Sequence, residues 1–190
     1  NAQSIFINKK HILQTDGTYQ QLDTDLPAIS NGSSLYIDID NDGDLDCIIA
    51  GIIVSDPGAP RLILVFENDG FGNYTRKQEF PGGDSMKLIK IDMNIDGYHG
   101  FVAMGTNYGG EAHHIGAFIN TAGTITKWEN HPFDSETNLP DWYGNGFASG
   151  GGFSTDMNGD GKPDLVVGGR TADTGASNGQ YKMLVYLNTS

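Results

Sequence analysis

Short apolar runs separated by polar, glycine-containing segments make up the hydrophobic pattern of this 190-residue chain. The runs are about four to seven residues long and rich in Ile, Val, Leu, Phe and Tyr, a composition that favours β-strands. Glycine occurs 27 times, which fits a chain with many tight turns. No segment carries a convincing helical pattern. The chain is therefore predicted to be all-β.

An acidic stretch recurs three times, each time between two apolar runs. The copies span 38–46, 92–100 and 156–164. In every copy Asp or Asn occupies the first, third and fifth positions and glycine occupies the sixth. The ninth position is Asp46 in the first copy and Asp164 in the third, but Gly100 in the second. An apolar run ending in glycine follows each copy, at 47–51, 101–105 and 165–169, so the chain contains an internal repeat.

A second recurring element ends in asparagine: residues 4–8, 64–68, 116–120 and 184–188. Its copies are about 60 residues apart. Further strand candidates, at 18–22, 73–76 and 125–128, follow turns that contain glycine. Each unit thus predicts four antiparallel strands: A (35–37, 87–91 or 153–155) before the acidic loop, B after it, C ending at the asparagine, and D. Such units are typical of the blades of a β-propeller.

These units divide the chain as a single β-propeller or propeller fragment over 1–190. Residues 1–30 form a half blade with strands C and D, 31–84 and 85–143 form whole blades, and 144–190 form an incomplete blade with strands A, B and C. About three repeats are fewer than the usual four to eight blades. We therefore expect a partial propeller, or a ring that is completed by another segment or another chain. One such closure pairs strand 18–22 with the last three strands.

The net charge of the chain restricts the kinds of partner that it is expected to bind. The formal net charge is −13, which disfavours attraction to nucleic acid or to an anionic membrane. Because no span of about 18 apolar residues exists, we also expect no membrane insertion. The single cysteine, Cys47, lies within an apolar run, where a buried strand residue is the simpler interpretation than a nucleophile.

The acidic stretches are candidate calcium loops. Closely spaced carboxylates repel one another unless a cation neutralises them, and several hard oxygen ligands suit Ca²⁺. An EF-hand would need Glu at the twelfth position, where this chain has Ile49, Ala103 and Val167. We expect ligand oxygens from side chains at positions 1, 3, 5 and 9 and from the main chain at position 7. The alternative is an acidic surface turn without an ion.

The D-x-[DN]-x-D-G-x-x-D loop, the apolar strand after it and the strand ending in Asn resemble the FG-GAP/VCBS repeats of integrin alpha-chain propellers and of many secreted bacterial and fungal proteins. The resemblance covers nearly all the chain and implies mainly structural calcium. It implies two strong sites and, because of Gly100, a weaker or empty one. The implied ligands are Asp38, Asp40, Asp42, Asp46 and the carbonyl of Asp44; Asp156, Asn158, Asp160, Asp164 and the carbonyl of Lys162; and Asp92, Asn94, Asp96 and the carbonyl of Tyr98.

Candidate ligand-binding residues lie in the loops expected on the face opposite the calcium. Trp142 and Tyr143 could stack on a sugar ring while Asp141 binds its hydroxyls, although Trp142 could instead fill a gap between blades. Tyr108 and Glu111 belong to a second polar cluster, for which solvated loop residues are the alternative.

Three functions stay open at this point. The first is a secreted or cell-surface calcium-stabilised propeller that binds a glycan or a protein. The second is a polysaccharide-degrading, lyase-like enzyme, for which the only signals are carboxylates such as Asp141 and Glu111. The third is a structural or assembly module. Since extracellular calcium is millimolar, loops of this kind favour an extracellular, cell-surface or periplasmic location.

Overall fold

The computed structural model describes residues 9–106, 114–128, 150–171 and 180–189. These residues form thirteen strands and no helix, which confirms the all-β prediction. No helix long and apolar enough to cross a membrane occurs in this part of the chain. The strands are β1 (Lys9–Leu13), β2 (Tyr19–Asp23), β3 (Ile29–Ile37), β4 (Asp46–Ile53), β5 (Arg61–Asn68), β6 (Tyr74–Pro81), β7 (Asp84–Ile91), β8 (Gly100–Thr106), β9 (His114–Thr121), β10 (Thr124–Lys127), β11 (Gly151–Thr155), β12 (Asp164–Thr171) and β13 (Gln180–Tyr186).

The strands form four antiparallel sheets in which chain neighbours are also hydrogen-bonded neighbours. Strands β1 and β2 form a hairpin. The first sheet has the order β3-β4-β5-β6, the second has the order β7-β8-β9-β10, and the third has the order β11-β12-β13. Each acidic loop connects the first two strands of its sheet. The strands predicted around these loops are thus present, and β1, which pairs with the predicted strand at 18–22, was not predicted.

The three larger sheets pack face to face, and successive apolar residues of their inner strands project toward opposite faces. In β4, Ile48 and Ala50 belong to the core between the first and second sheets, whereas Cys47 and Ile49 belong to a separate core on the opposite face of the first sheet. This last core also receives Leu26, which precedes β3.

The second sheet buries both faces and is the centre of the stack. Phe101 of β8 and Phe118 of β9 lie parallel, with ring centroids 4.5 Å apart, in the core shared with the first sheet. On its other face, Val102 and Met104 pack with Leu165 of the third sheet. Continuous burial on both faces explains why β8 is apolar at nearly every position.

The repeat extends to the backbone. Strands β3 and β7 each contain a register irregularity against the next strand, at Ser30–Ser33 and Asp84–Lys87. Asn31 and Ser85, seven residues before their acidic loops, both have positive φ, at 50° and 54°. Equivalent residues therefore bend the first strand of both sheets in the same way.

Several sequence predictions lie outside the described residues. These include strand 4–8 and the candidate ligand-binding residues Tyr108, Glu111, Asp141, Trp142 and Tyr143. The division of the chain into propeller blades stays a prediction.

Candidate metal centre

The first acidic loop brings three carboxylates together. Ligand oxygens of Asp38, Asp40 and Asp42 lie within 4.8 Å of one another, and within the described residues this is the only group of at least three His, Cys, Asp or Glu side chains so placed. The backbone curls around them because Asn41 and Gly43 both have left-handed conformations, with φ of 61° and 98°. A divalent cation at this point would offset the mutual repulsion of the carboxylates.

The same turn geometry recurs in all three loops. The glycine N–H at position 6 donates to the carboxylate at position 1, at 3.0 Å for Gly43 and Asp38, 3.0 Å for Gly97 and Asp92, and 2.8 Å for Gly161 and Asp156. The three bonds hold the first carboxylate at the centre of its turn.

The residue at position 7 likewise donates its N–H to the carboxylate at position 5. The donors are Asp44, Tyr98 and Lys162, and the acceptors are Asp42, Asp96 and Asp160. In the second and third loops the middle carboxylate is replaced by an amide: Asn94 and Asn158 donate to Asp96 and Asp160. Each of these loops therefore carries less negative charge than the first.

Two carboxylate oxygens provide a test of whether a cation fits. Oδ1 of Asp44 and Oδ1 of Asp92 are buried and accept no hydrogen bond from the described residues. Burial, and then the charges of Asp42, Asp40, Asp38 and Asp69, raise the pKa of Asp44. A buried anionic oxygen without a donor is unfavourable, and a cation bound in the second loop would supply the missing partner of Asp92, whereas the side chain of Asp44 lies outside the group formed by Asp38, Asp40 and Asp42. The residues present therefore fit a hard divalent ion.

The ninth-position carboxylates also have a role within the protein itself. Asp46 is buried, and its two oxygens accept the N–H groups of Ile39 and Asn68 at 2.8 Å each. Burial raises the pKa of Asp46, although both hydrogen bonds lower it. The bonds tie the acidic loop to the end of the third strand of the sheet.

Asp164 makes the same two bonds in the third loop. It is fully buried and accepts the N–H groups of Met157 and Asn188 at 2.8 and 2.7 Å. Each carboxylate oxygen keeps a second lone pair, so these contacts are compatible with the predicted ligand role of both ninth-position residues.

The second loop has glycine, Gly100, at the ninth position, and the backbone of strand β9 lies directly against it. A Cβ atom on Gly100 would lie 2.1 Å from the carbonyl oxygen of Phe118 and 3.1 Å from the N atom of Asn120. Strand β9 therefore occupies the space that a side chain at position 100 would need. Only glycine allows this approach.

The repeated asparagine has a function that the sequence did not reveal. Its side chain joins adjacent sheets: Nδ2 of Asn120 donates to the carbonyl of Ile39 at 2.7 Å, and Nδ2 of Asn188 donates to the carbonyl of Met93 at 3.1 Å. Both acceptors are second-position residues of the preceding acidic loop. Neighbouring loops are therefore coupled through one side chain. The regular spacing of these asparagines was the available signal.

Asp69 is a further acidic residue near the first loop that was not predicted. It lies in the turn between β5 and β6, and its carboxylate accepts the N–H groups of Phe71 and Asn73. These bonds, led by the side-chain bond from Asn73, lower the pKa of Asp69. Its charge reaches Asp44, so this turn adds to the negative potential of the first loop.

A scan against protein-family models finds no match to this chain, and a search of the curated proteins finds none either.

Proposed function

We propose that this chain is a calcium-stabilised array of propeller-type blades, related to the FG-GAP/VCBS repeats, that serves outside the cell or in the periplasm as a binding module for a glycan or a protein. The observation that carries the proposal is the threefold recurrence of one acidic turn with the same internal hydrogen bonds. A single acidic turn is common on protein surfaces, whereas three copies at equivalent places in stacked sheets favour a shared ligand.

Calcium has a structural role in this proposal. A bound ion would be held by the carboxylates of a turn whose ends enter two neighbouring strands, and its binding free energy would then add to the stability of the fold. Loops one and three each provide four side-chain ligand candidates, and loop two provides three. We therefore expect two tighter sites and one weaker site.

Native mass spectrometry in calcium, and then after EDTA, tests the metal assignment. We expect two ions that resist dilution and a third that is lost first, together with a higher Tm in calcium than in EDTA. The matched control is Asp42→Ala, which removes one candidate ligand from the first loop and leaves the third loop unchanged. It should lose one tight ion and keep the other. A chain that binds no ion, or that binds magnesium as well as calcium, would contradict the proposal.

The ligand-binding part needs a separate experiment. An array of glycans and extracellular proteins, probed in millimolar calcium, should give binding that Trp142→Ala abolishes and that Trp128→Ala leaves in place. Release of unsaturated sugars from a polysaccharide would instead support the lyase-like enzyme. A chain that binds ions and shows neither result would be a structural module.

A further inference from the structure

The third acidic loop contains an asparagine that is followed directly by glycine, Asn158-Gly159. An asparagine side chain loses ammonia when the main-chain N atom of the next residue attacks its Cγ atom. The reaction is fastest before glycine, because glycine has no side chain to shield that N atom. Both residues are exposed, and a Cβ atom on Gly159 would meet nothing within 4 Å beyond its neighbours in the chain. The attack therefore meets no steric obstacle.

The hydrogen bonds of the turn prepare the two reacting groups. Oδ1 of Asn158 accepts the N–H of Asp160 at 3.0 Å, and this bond folds the side chain back over the peptide of Gly159. The same N–H would stabilise the negative charge that develops on Oδ1 during the attack. The N–H of Gly159 donates to Oδ1 of Asp156 at 2.6 Å, so a proton acceptor lies within reach of the attacking N atom.

The second loop has the same asparagine with a different neighbour. Asn94 also occupies position 3, and its Nδ2 donates to Asp96 at 2.8 Å, as Nδ2 of Asn158 donates to Asp160 at 3.0 Å. The residue after Asn94 is Ile95, whose β-branched side chain crowds the main-chain N atom. Asn94 is therefore an internal control that has the same loop position but a shielded nucleophile.

A second Asn-Gly pair has the same sequence in a different environment. The chain contains four such pairs, and the structure describes two of them, Asn158-Gly159 and Asn31-Gly32. Gly32 lies inside strand β3, where a Cβ atom on it would be 2.1 Å from the carbonyl oxygen of Ala50. Strand pairs on both sides hold this backbone. The main-chain rotation that the reaction requires is therefore restricted at Asn31, although its side chain is exposed.

We propose that Asn158 is a deamidation site, at which water replaces the side-chain amide, and that the folded third loop promotes the reaction. The N atom of Gly159 bonds to Cγ of Asn158 while its proton moves to Asp156 and on to the departing Nδ2, which leaves as ammonia. Water then opens the cyclic imide. Opening at the Cγ–N bond gives Asp, and opening at the original peptide C–N bond gives isoaspartate. The reaction consumes one water and releases one ammonia, with no oxidation or reduction.

Both products add one negative charge to the third loop. The Asp product places a carboxylate at position 3, where the first loop has Asp40, so that both loops would have Asp at positions 1, 3, 5 and 9. The isoaspartate product instead lengthens the main chain of the turn by one methylene group. The reaction depends neither on calcium nor on a glycan or protein ligand, so its failure would leave the proposed function untouched.

Peptide mapping by mass spectrometry tests the site. The folded chain is incubated in mildly alkaline buffer with EDTA, and conversion of amide to carboxyl is followed at each asparagine. We expect Asn158 to react at least about tenfold faster than Asn31 and Asn94. An Asn158 that stays intact would overturn the proposal. Equal rates at Asn158 and Asn31 would show that the Asn-Gly sequence alone sets the rate, and would overturn the role of the folded loop.

The same measurement in concentrated urea separates the structure from the sequence. Unfolding removes both the turn around Asn158 and the strand that restrains Asn31, so the two rates should converge. Asn94 should stay slow, because Ile95 follows it in the unfolded chain as well. A ratio between Asn158 and Asn31 that urea leaves unchanged would overturn the role of the folded loop.

Gly159→Asn is the matched variant. The first loop has Asn41 at the same position, with φ of 61° against 79° for Gly159, so the turn accommodates the substitution. Circular dichroism and the Tm confirm that the variant folds. Deamidation of Asn158 should slow at least about tenfold, because the new side chain shields the main-chain N atom, while the rate at Asn31 stays the same. An unchanged rate at Asn158 in the folded variant would overturn the proposal.

Discussion

The first and second acidic loops have nearly the same sequence pattern but hold their sheets together in different ways. In the first loop, a buried carboxylate at the ninth position connects the loop to strand β5 through two main-chain N–H groups. In the second loop, Gly100 leaves no side chain, and strand β9 closes directly against the backbone.

This difference shows that the acidic residues of one loop have two separate roles, which their sequence pattern does not distinguish. The carboxylates at positions 1, 3 and 5 of the first loop lie within 4.8 Å of one another and are the proposed ligands of an ion. The carboxylate at position 9 accepts hydrogen bonds from two main-chain N–H groups of the protein itself. Consequently, the absence of a ninth carboxylate in the second loop leaves no gap, because strand β9 lies where that side chain would be.

The fourth position adds a second contrast between these loops. Asn41 in the first loop and Ile95 in the second both have left-handed backbones, with φ of 61° and 57°. Asparagine tolerates this conformation, but a β-branched residue is strained there. The second loop thus keeps the shape of the first at a cost in backbone energy.

We call the two hydrogen bonds that Asp46 accepts from Ile39 and Asn68 the carboxylate clamp of the first loop. Its removal is expected to have the largest effect on stability. Asp46→Ala leaves the buried N–H of Ile39 and the half-buried N–H of Asn68 without an acceptor, which costs roughly 2–5 kcal/mol of unfolding free energy. Denaturant unfolding in EDTA measures this cost without any ion. The control Asp42→Ala removes an exposed carboxylate of the same loop and should weaken calcium binding while leaving stability in EDTA nearly unchanged. Equal losses for both variants in EDTA would mean that Asp46 has no clamp function.

Copying the ninth residue of the first loop into the second should be harmful. In Gly100→Asp the new side chain collides with the carbonyl of Phe118, and overpacking of this kind costs roughly 1–3 kcal/mol. We expect a lower Tm in EDTA and no gain in the number of bound calcium ions. Gly97→Ala is not a suitable control because Gly97 has positive φ, so Tyr98→Asp serves as the matched added charge. A tighter second site in Gly100→Asp would show that strand β9 can move aside.

Copying the fourth residue of the first loop, Asn41, into the second loop should raise the stability of the protein. Ile95→Asn relieves the left-handed strain and should stabilise the protein by about 1 kcal/mol, because Ile95 is half exposed and loses little packing. Ile95→Val keeps the β-branch and should change nothing, and both variants can be compared by thermal unfolding in EDTA. Equal Tm values for Ile95→Asn and Ile95→Val would show that the left-handed conformation of Ile95 does not destabilise the protein.

The smallest effect concerns Cys47, the residue after Asp46. Burial raises the pKa of this thiol to about 11, from an ordinary value of 9.0. Since the unfolded thiol ionises first, the stability that this group contributes is complete below pH 9.0 and is lost as the pH rises toward 11. In the folded protein at pH 8, iodoacetamide should leave Cys47 unmodified, and Asp46→Ala should accelerate the reaction. Rapid alkylation of the unaltered protein would show that β4 opens without loss of the clamp.

The sequence by itself determined the all-β class, the strands around each acidic loop and the equivalence of the three loops. Strand alternation and turn residues are local signals, and repetition strengthens them. The positions of Gly43, Gly97 and Gly161 permit the sharp turns that the structure contains, and all three residues have positive φ.

Only the tertiary structure decided which groups each side chain meets. The bond from Asn68 to Asp46, the bond from Asn120 to the preceding sheet and the close approach of β9 to Gly100 all join parts of the chain that are distant in sequence. Such contacts depend on how the sheets stack, and a carboxylate in a calcium motif looks the same in sequence whether its oxygens meet an ion or a main-chain N–H.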